Sequence, residues 1–148
     1  MAASPPPEGS GHWVASVPPQ PPATALATAQ LAWLGDAVWE LHQRLRRCRQ
    51  PARAADLHRA VVAEVQAEAQ AEALRRLDPL LSEAERRVVL RGRNQAGRGP
   101  RRGAPHAYGQ ATGFETMLGW LFLQDPRRLA ELLDHLEKTE PRSPSASP

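Results

Sequence analysis

Apolar residues recur at helical spacing through most of the chain, with polar residues between them. Leu31, Leu34, Val38, Leu41 and Leu45 form one stripe and predict a first helix over residues 26–49, stopped by Pro51. Four arginines in its last turns (44, 46, 47, 49) suit the negative end of the helix dipole. Leu57, Val61, Val65, Leu74 and Leu77 predict a second helix over 54–77. Its middle, Ala67 to Ala73, alternates as a strand would, but Ala, Glu and Gln are strong helix formers and poor strand formers, so propensity overrides period. Ser82-Glu83-Ala84-Glu85 reads as a capping box opening a third helix that ends near Arg91-Gly92. Arg93 to Tyr108, rich in Gly, Pro and Arg, reads as a long loop. A fourth helix is expected over 113–123. Asp125-Pro126, an N-cap followed by proline, opens a last one with Leu129, Leu132, Leu133 and Leu136 as its buried stripe. No segment reads as a strand, and the predicted fold class is all-α.

The two ends differ from this pattern. Residues 1–25 carry seven prolines and little that could build a core, so they and the tail 141–148 read as disordered, leaving one domain over 26–140. His12 and Trp13 fall in the first segment and receive no role. No apolar run approaches a membrane span. Residues 1–43 contain no Lys or Arg, which excludes a secretory or transit leader there, and the single Cys48 cannot form an internal disulfide; both suit the cytoplasm.

Charge changes the picture further. The net charge of +3 hides an asymmetry: residues 86–114 hold seven arginines (86, 87, 91, 93, 98, 101, 102) and no acid, against 12 basic and 16 acidic residues elsewhere. A basic segment on an otherwise acidic chain points to a phosphate-bearing partner.

Two acids stand out by their surroundings. Asp36 lies in an apolar run beside Gly35, where a carboxylate is costly unless something pairs with it. Glu115 repeats the arrangement in Thr112-Gly113-Phe114-Glu115. If the two helices pack together, both acids meet at one hard, all-oxygen metal site of the kind Mg²⁺ accepts, with water and phosphate oxygens completing the shell. On these features alone, that reading and two solvent-facing helix acids stand level. Glu64, Glu68 and Glu72 read as a solvated acidic face, and His58 as a structural histidine.

Several pieces together resemble the ribonuclease III family, and closely its reduced branch, Mini-ribonuclease III. They are Leu31-Ala-Trp-Leu-Gly-Asp-Ala-Val-Trp-Glu40, Asp56-Leu-His58, Ala67-Glu-Ala-Gln-Ala71, Arg91-Gly-Arg-Asn94 and Ala111-Thr-Gly-Phe-Glu115, running on to Leu118-Gly-Trp-Leu-Phe-Leu123. They occur in the family's order and span most of the domain.

The resemblance implies a homodimeric, all-helical endonuclease that cuts double-stranded RNA with Mg²⁺, leaving 5′-phosphate and 3′-hydroxyl ends. The reduced branch lacks the double-stranded-RNA-binding domain of full-length enzymes and trims precursor 23S ribosomal RNA, with ribosomal proteins as further candidate partners. Asp36 and Glu115 take the places of the family's essential acids. Two further acids of full-length enzymes are replaced here by Ala32 and Thr112. Glu40 and Thr112 are candidates to support the metal ligands. Arg91, Arg93, Asn94, Arg98, Arg101 and Arg102 are the RNA-binding candidates, Arg98 standing where the branch usually carries a lysine nearby. The competing expectation is a non-catalytic RNA-binding or ribosome-associated module of the same fold.

Overall fold

The structure is a computed structural model that describes residues 12–16, 18, 20–49, 51–97 and 105–141. Its secondary structure is helical throughout those residues: α1 His12–Ala15, α2 Thr28–Arg47, α3 Ala54–Val65, α4 Ala67–Leu77, α5 Glu83–Gln95, α6 Pro105–Gln124 and α7 Pro126–Lys138, with single 3-10 turns at Ala23–Ala25 and Asp78–Leu80. The expected all-α class holds.

A helix apolar on nearly every side has to be enclosed. The helix of that kind is α6: Ala111, Phe114, Met117, Leu118 and Leu121 are all buried. α2, α4, α5 and α7 pack around it. Trp39 of α2 meets Phe114 edge-on at a centroid distance of 5.0 Å. Leu129, Leu132, Leu133 and Leu136 of α7 close the core, as their stripe predicts. The Asp125 cap is present, its side chain accepting from the Arg128 N–H at 3.1 Å. So is the Ser82–Glu85 capping box, with reciprocal bonds of 2.9 and 3.1 Å. Glu85 is also buried and paired with Arg128 at 3.0 Å, which ties the start of α5 to the start of α7.

Three helix boundaries and the reading of the proline-rich start differ from the sequence expectation. The single helix expected over 54–77 breaks at Gln66, whose backbone is extended. The Glu64 carbonyl, left without its helical donor, accepts from the Trp39 indole N–H at 2.9 Å. The break lets α4 turn Gln70, Ala73, Leu74 and Leu77 inward. α5 does not stop at Gly92 but continues to Gln95, and the left-handed residue that follows it is Gly97 (φ 67°). α6 starts at Pro105, well inside the expected loop, because proline suits a first helical turn. Finally, the proline-rich start is not wholly outside the fold. α1 packs on α7, Val14 is fully buried and the Trp13 ring lies 6.4 Å from Phe122. The expectations for residues 1–11 and 142–148 fall outside the described residues.

Polar groups expected to be simple have particular places. His58 is exposed on α3 rather than enclosed. Of the acidic series, Glu64 pairs with Arg47 at 3.3 Å, Glu72 pairs with Arg75, and Glu68 is exposed. His42 is the buried histidine, 3.5 Å from Glu137 where α2 meets α7. Burial pushes its pKa down to about 4 despite that carboxylate. The unfolded chain therefore binds a proton that the fold refuses, and this part of the stability is lost as pH drops from 6.5 toward about 4.

The Trp39–Glu64 bond makes the α3–α4 break testable. Trp39→Phe keeps the ring against Phe114 but strands a carbonyl, which should cost roughly 1–3 kcal/mol. Urea unfolding checks this: a lower midpoint with an unchanged slope is expected, and an unchanged midpoint would show that the bond does not hold the break.

Candidate active site

The site begins with two glycines. A Cβ built on Gly35 would lie 1.7 Å from the Glu115 carbonyl oxygen, and one on Gly119 would lie 2.0 Å from the Leu31 carbonyl oxygen. α2 and α6 therefore cross backbone to backbone at a distance no other residue allows. A second pair fixes α5 on α6: a Cβ on Gly92 would meet the Thr116 Oγ1 at 2.3 Å, and one on Gly113 would meet the Val89 carbonyl at 2.7 Å. Gly92 is thus a packing glycine in mid-helix, not a helix stop.

Asp36 follows Gly35, and Glu115 is the residue Gly35 rests on. The crossing therefore sets their carboxylates face to face. Asp36 is exposed at the rim, contrary to the expectation of an acid enclosed in its apolar run; Glu115 is the more buried of the two. Burial, then the Asp36 charge, push Glu115 up to about 7, with the Gln70 amide pulling the other way. Among the described residues neither carboxylate has a Lys, Arg or His ion-pair partner. Nor does a third His, Cys, Asp or Glu join them there.

Both acids line an open cleft of about 370 Å³ together with Thr28, Trp33, Gln95 and Tyr108. Thr112, at the place of a missing acid, also lines it, its hydroxyl donating to the Tyr108 carbonyl at 3.0 Å. Glu40 is not among the lining residues and pairs with Arg44 at 2.8 Å. Arg91, Arg93 and Asn94 are exposed at the end of α5; Arg93 lines a separate groove among α4, α5 and α6. Arg98, Arg101 and Arg102 lie outside the described residues.

Sequence reasoning gave Gln70, Tyr108 and Gln95 no role. Tyr108 was hidden by the loop reading of 93–108. Gln70 had a usable signal: it is in phase with Leu74 and Leu77 on the stripe that faces the core.

Two close carboxylates with no cationic partner form a donor set suited to a hard divalent cation. The model of the Ribonuclease III domain matches residues 29–126. Mini-ribonuclease 3 of Synechococcus sp. is 52% identical over 118 residues, covering 80% of this chain and 86% of that protein. Mini-ribonuclease 3 of Symbiobacterium thermophilum is 46% identical over 106 residues, covering 70% and 82%. A crystal structure of a Fusobacterium nucleatum protein superposes with a TM-score of 0.70 at 26% identity, over 78% of this chain and 94% of that one. The chain belongs to the ribonuclease III family, an endoribonuclease family, and within it sorts with the Mini-ribonuclease 3 branch.

The raised Glu115 has a consequence for stability. An acid whose folded pKa exceeds its unfolded value holds its proton longer in the fold, so stability falls as pH rises from 4.5 through about 7. In metal-free protein the wild-type urea midpoint should fall relative to that of Glu115→Gln between about pH 5 and about pH 8, the opposing His42 contribution being common to both. An identical pH profile in the variant would place the titration elsewhere.

Proposed function

We propose that the chain cuts both strands of double-stranded RNA as a homodimer, with Mg²⁺ held between Asp36 and Glu115. The observation that carries this is the carboxylate pair brought together by the glycine crossing, without a cation among the described residues. Mg²⁺ bound there would neutralise charge on the scissile phosphate and lower the pKa of an attacking water. The protein's part is to bind and orient. Asp36 supplies an exposed carboxylate at the rim, and Glu115 an enclosed one that gives up its proton more readily once a cation is near. The cleft between them is open to a phosphodiester.

The homodimer reading rests on the outer face of α2. Trp33, Ala37, Leu41 and Leu45 follow each other every four residues; Trp33 is 80% exposed, Leu41 45% and Leu45 38%. An apolar stripe of this kind is covered most simply by a second copy, and a two-fold axis gives one site for each strand of a duplex. Trp33 also lines the cleft, so the interface would begin at its edge. The arginines of α5 and the segment after it supply phosphate contacts, since duplex RNA is read by shape and backbone. No helix among the described residues is long and apolar enough to cross a membrane. We assign the work to the cytoplasm, on the stem of precursor 23S ribosomal RNA with ribosomal proteins nearby. That assignment follows from the resemblance to the reduced branch.

Asp36→Asn tests the reading. The amide keeps the shape and loses the charge, so cleavage of a precursor 23S stem in Mg²⁺ should fall by about a thousandfold or more, several kcal/mol of transition-state stabilisation. Sedimentation should show the variant still dimeric. Cleavage at the wild-type rate would overturn the metal assignment, and an active monomer would overturn the two-fold arrangement.

A further inference from the structure

The cleft that holds the two acids has a second, neutral wall. Its hydroxyl and amide side chains are Thr28, Gln95, Tyr108, Thr112 and Thr116. Among the described residues that line it there is no Lys, Arg or His. Two of the neutral groups are engaged by the backbone. The Thr112 hydroxyl donates to the Tyr108 carbonyl at 3.0 Å, and the Thr116 hydroxyl donates to the Thr112 carbonyl at 2.7 Å. The side chains of Thr28, Gln95 and Tyr108 have no hydrogen-bond partner among the described residues.

A wall built to grip phosphate would carry guanidinium or ammonium groups. Neutral groups that both donate and accept match a neutral group of the same kind. On the sugar–phosphate backbone of RNA that group is the ribose 2′-hydroxyl, which the duplex displays along its shallow minor groove. Of the three free side chains, Tyr108 combines reach with restraint. Gln95 is exposed in the last turn of α5, and Thr28 is short. Tyr108 is half-buried on α6, and an aromatic ring has only two torsions to fix. It stands seven positions before Glu115 on the same helix, two turns or about 10 Å of rise. That sets it beside the sugar of a neighbouring nucleotide, away from the reacting phosphorus. Resting on the reading that this cleft takes duplex RNA, we propose that Tyr108 is a specificity-determining residue whose phenol hydrogen-bonds the 2′-hydroxyl of a nucleotide flanking the scissile phosphate. A deoxyribose there would leave the phenol unpaired, which is how a site built to bind a hydroxyl rejects the analogue lacking it.

The test uses the full chain and an RNA duplex that it cuts at one mapped position in each strand. Deoxyribose replaces ribose at each flanking nucleotide in turn, in both strands. Dissociation constants are read by fluorescence anisotropy in Ca²⁺, and kcat/KM in Mg²⁺. At one flanking position the wild type should bind the deoxy duplex about 3–10-fold more weakly, the effect of one lost hydrogen bond. Tyr108→Phe should bind the all-ribose duplex more weakly by a similar factor and be indifferent to deoxyribose at that position. At the other positions, including the nucleotide that carries the leaving oxygen, both proteins should lose alike. The values of kcat/KM should follow the same pattern. The melting temperature of Tyr108→Phe should match wild type, because the hydroxyl removed has no protein partner. General loosening would weaken every duplex equally. The same deoxyribose factor in both proteins at every position would therefore overturn the role. Mg²⁺-dependent cleavage that Asp36→Asn loses would then leave the nuclease reading standing. A wild type that does not cut duplex RNA in Mg²⁺ would overturn that reading and this role with it.

Discussion

The contact on which the site depends is the one between the Gly35 backbone and the Glu115 carbonyl. With a Cβ position 1.7 Å from that oxygen, no side chain fits, and the reciprocal Gly119–Leu31 contact at 2.0 Å locks the crossing from the other side. Helices held apart by ordinary side chains lie about 8–10 Å apart, and glycines permit the closer approach. Short side chains such as aspartate can then reach across the gap. The carboxylate pair is thus a product of backbone packing, and the apolar enclosure of α6 supplies the free energy that keeps two like charges together.

Asp36 is exposed at the rim, whereas Glu115 is the more buried, and desolvation followed by the Asp36 charge raises it to about 7. A divalent cation reverses the sign of the interaction: two carboxylates that repel each other become two ligands that share a charge. The same fold keeps His42 neutral on α2, beside Glu137 of α7. Two titratable groups enclosed on different helices, Glu115 on α6 and His42 on α2, therefore limit stability from opposite directions of pH.

Much of this was legible in the sequence because it is local. The Ser82–Glu85 box, the Asp125–Pro126 start and the leucines of α7 each specify their structure within a few residues, and each is present. Asp36 and Glu115 were legible as acids beside glycines in apolar helices. What could not be read depends on residues distant in sequence. Gly92 and Gly113 look like breaks to a local rule, yet they are the places where α5 and α6 touch. The stop at Gln66 goes with the bond from the Trp39 indole to the Glu64 carbonyl, a contact across 25 residues. Gln70 looks like surface in an Ala-Glu-Gln run until α4 is known to turn inward at the break.

The most direct measurement is anomalous diffraction from crystals grown with Mn²⁺. A peak is expected in the cleft, bonded to a carboxylate oxygen of Asp36 and one of Glu115 in the same molecule. A peak held by only one of them, or one seated elsewhere while the two acids lie apart, would contradict the shared metal site.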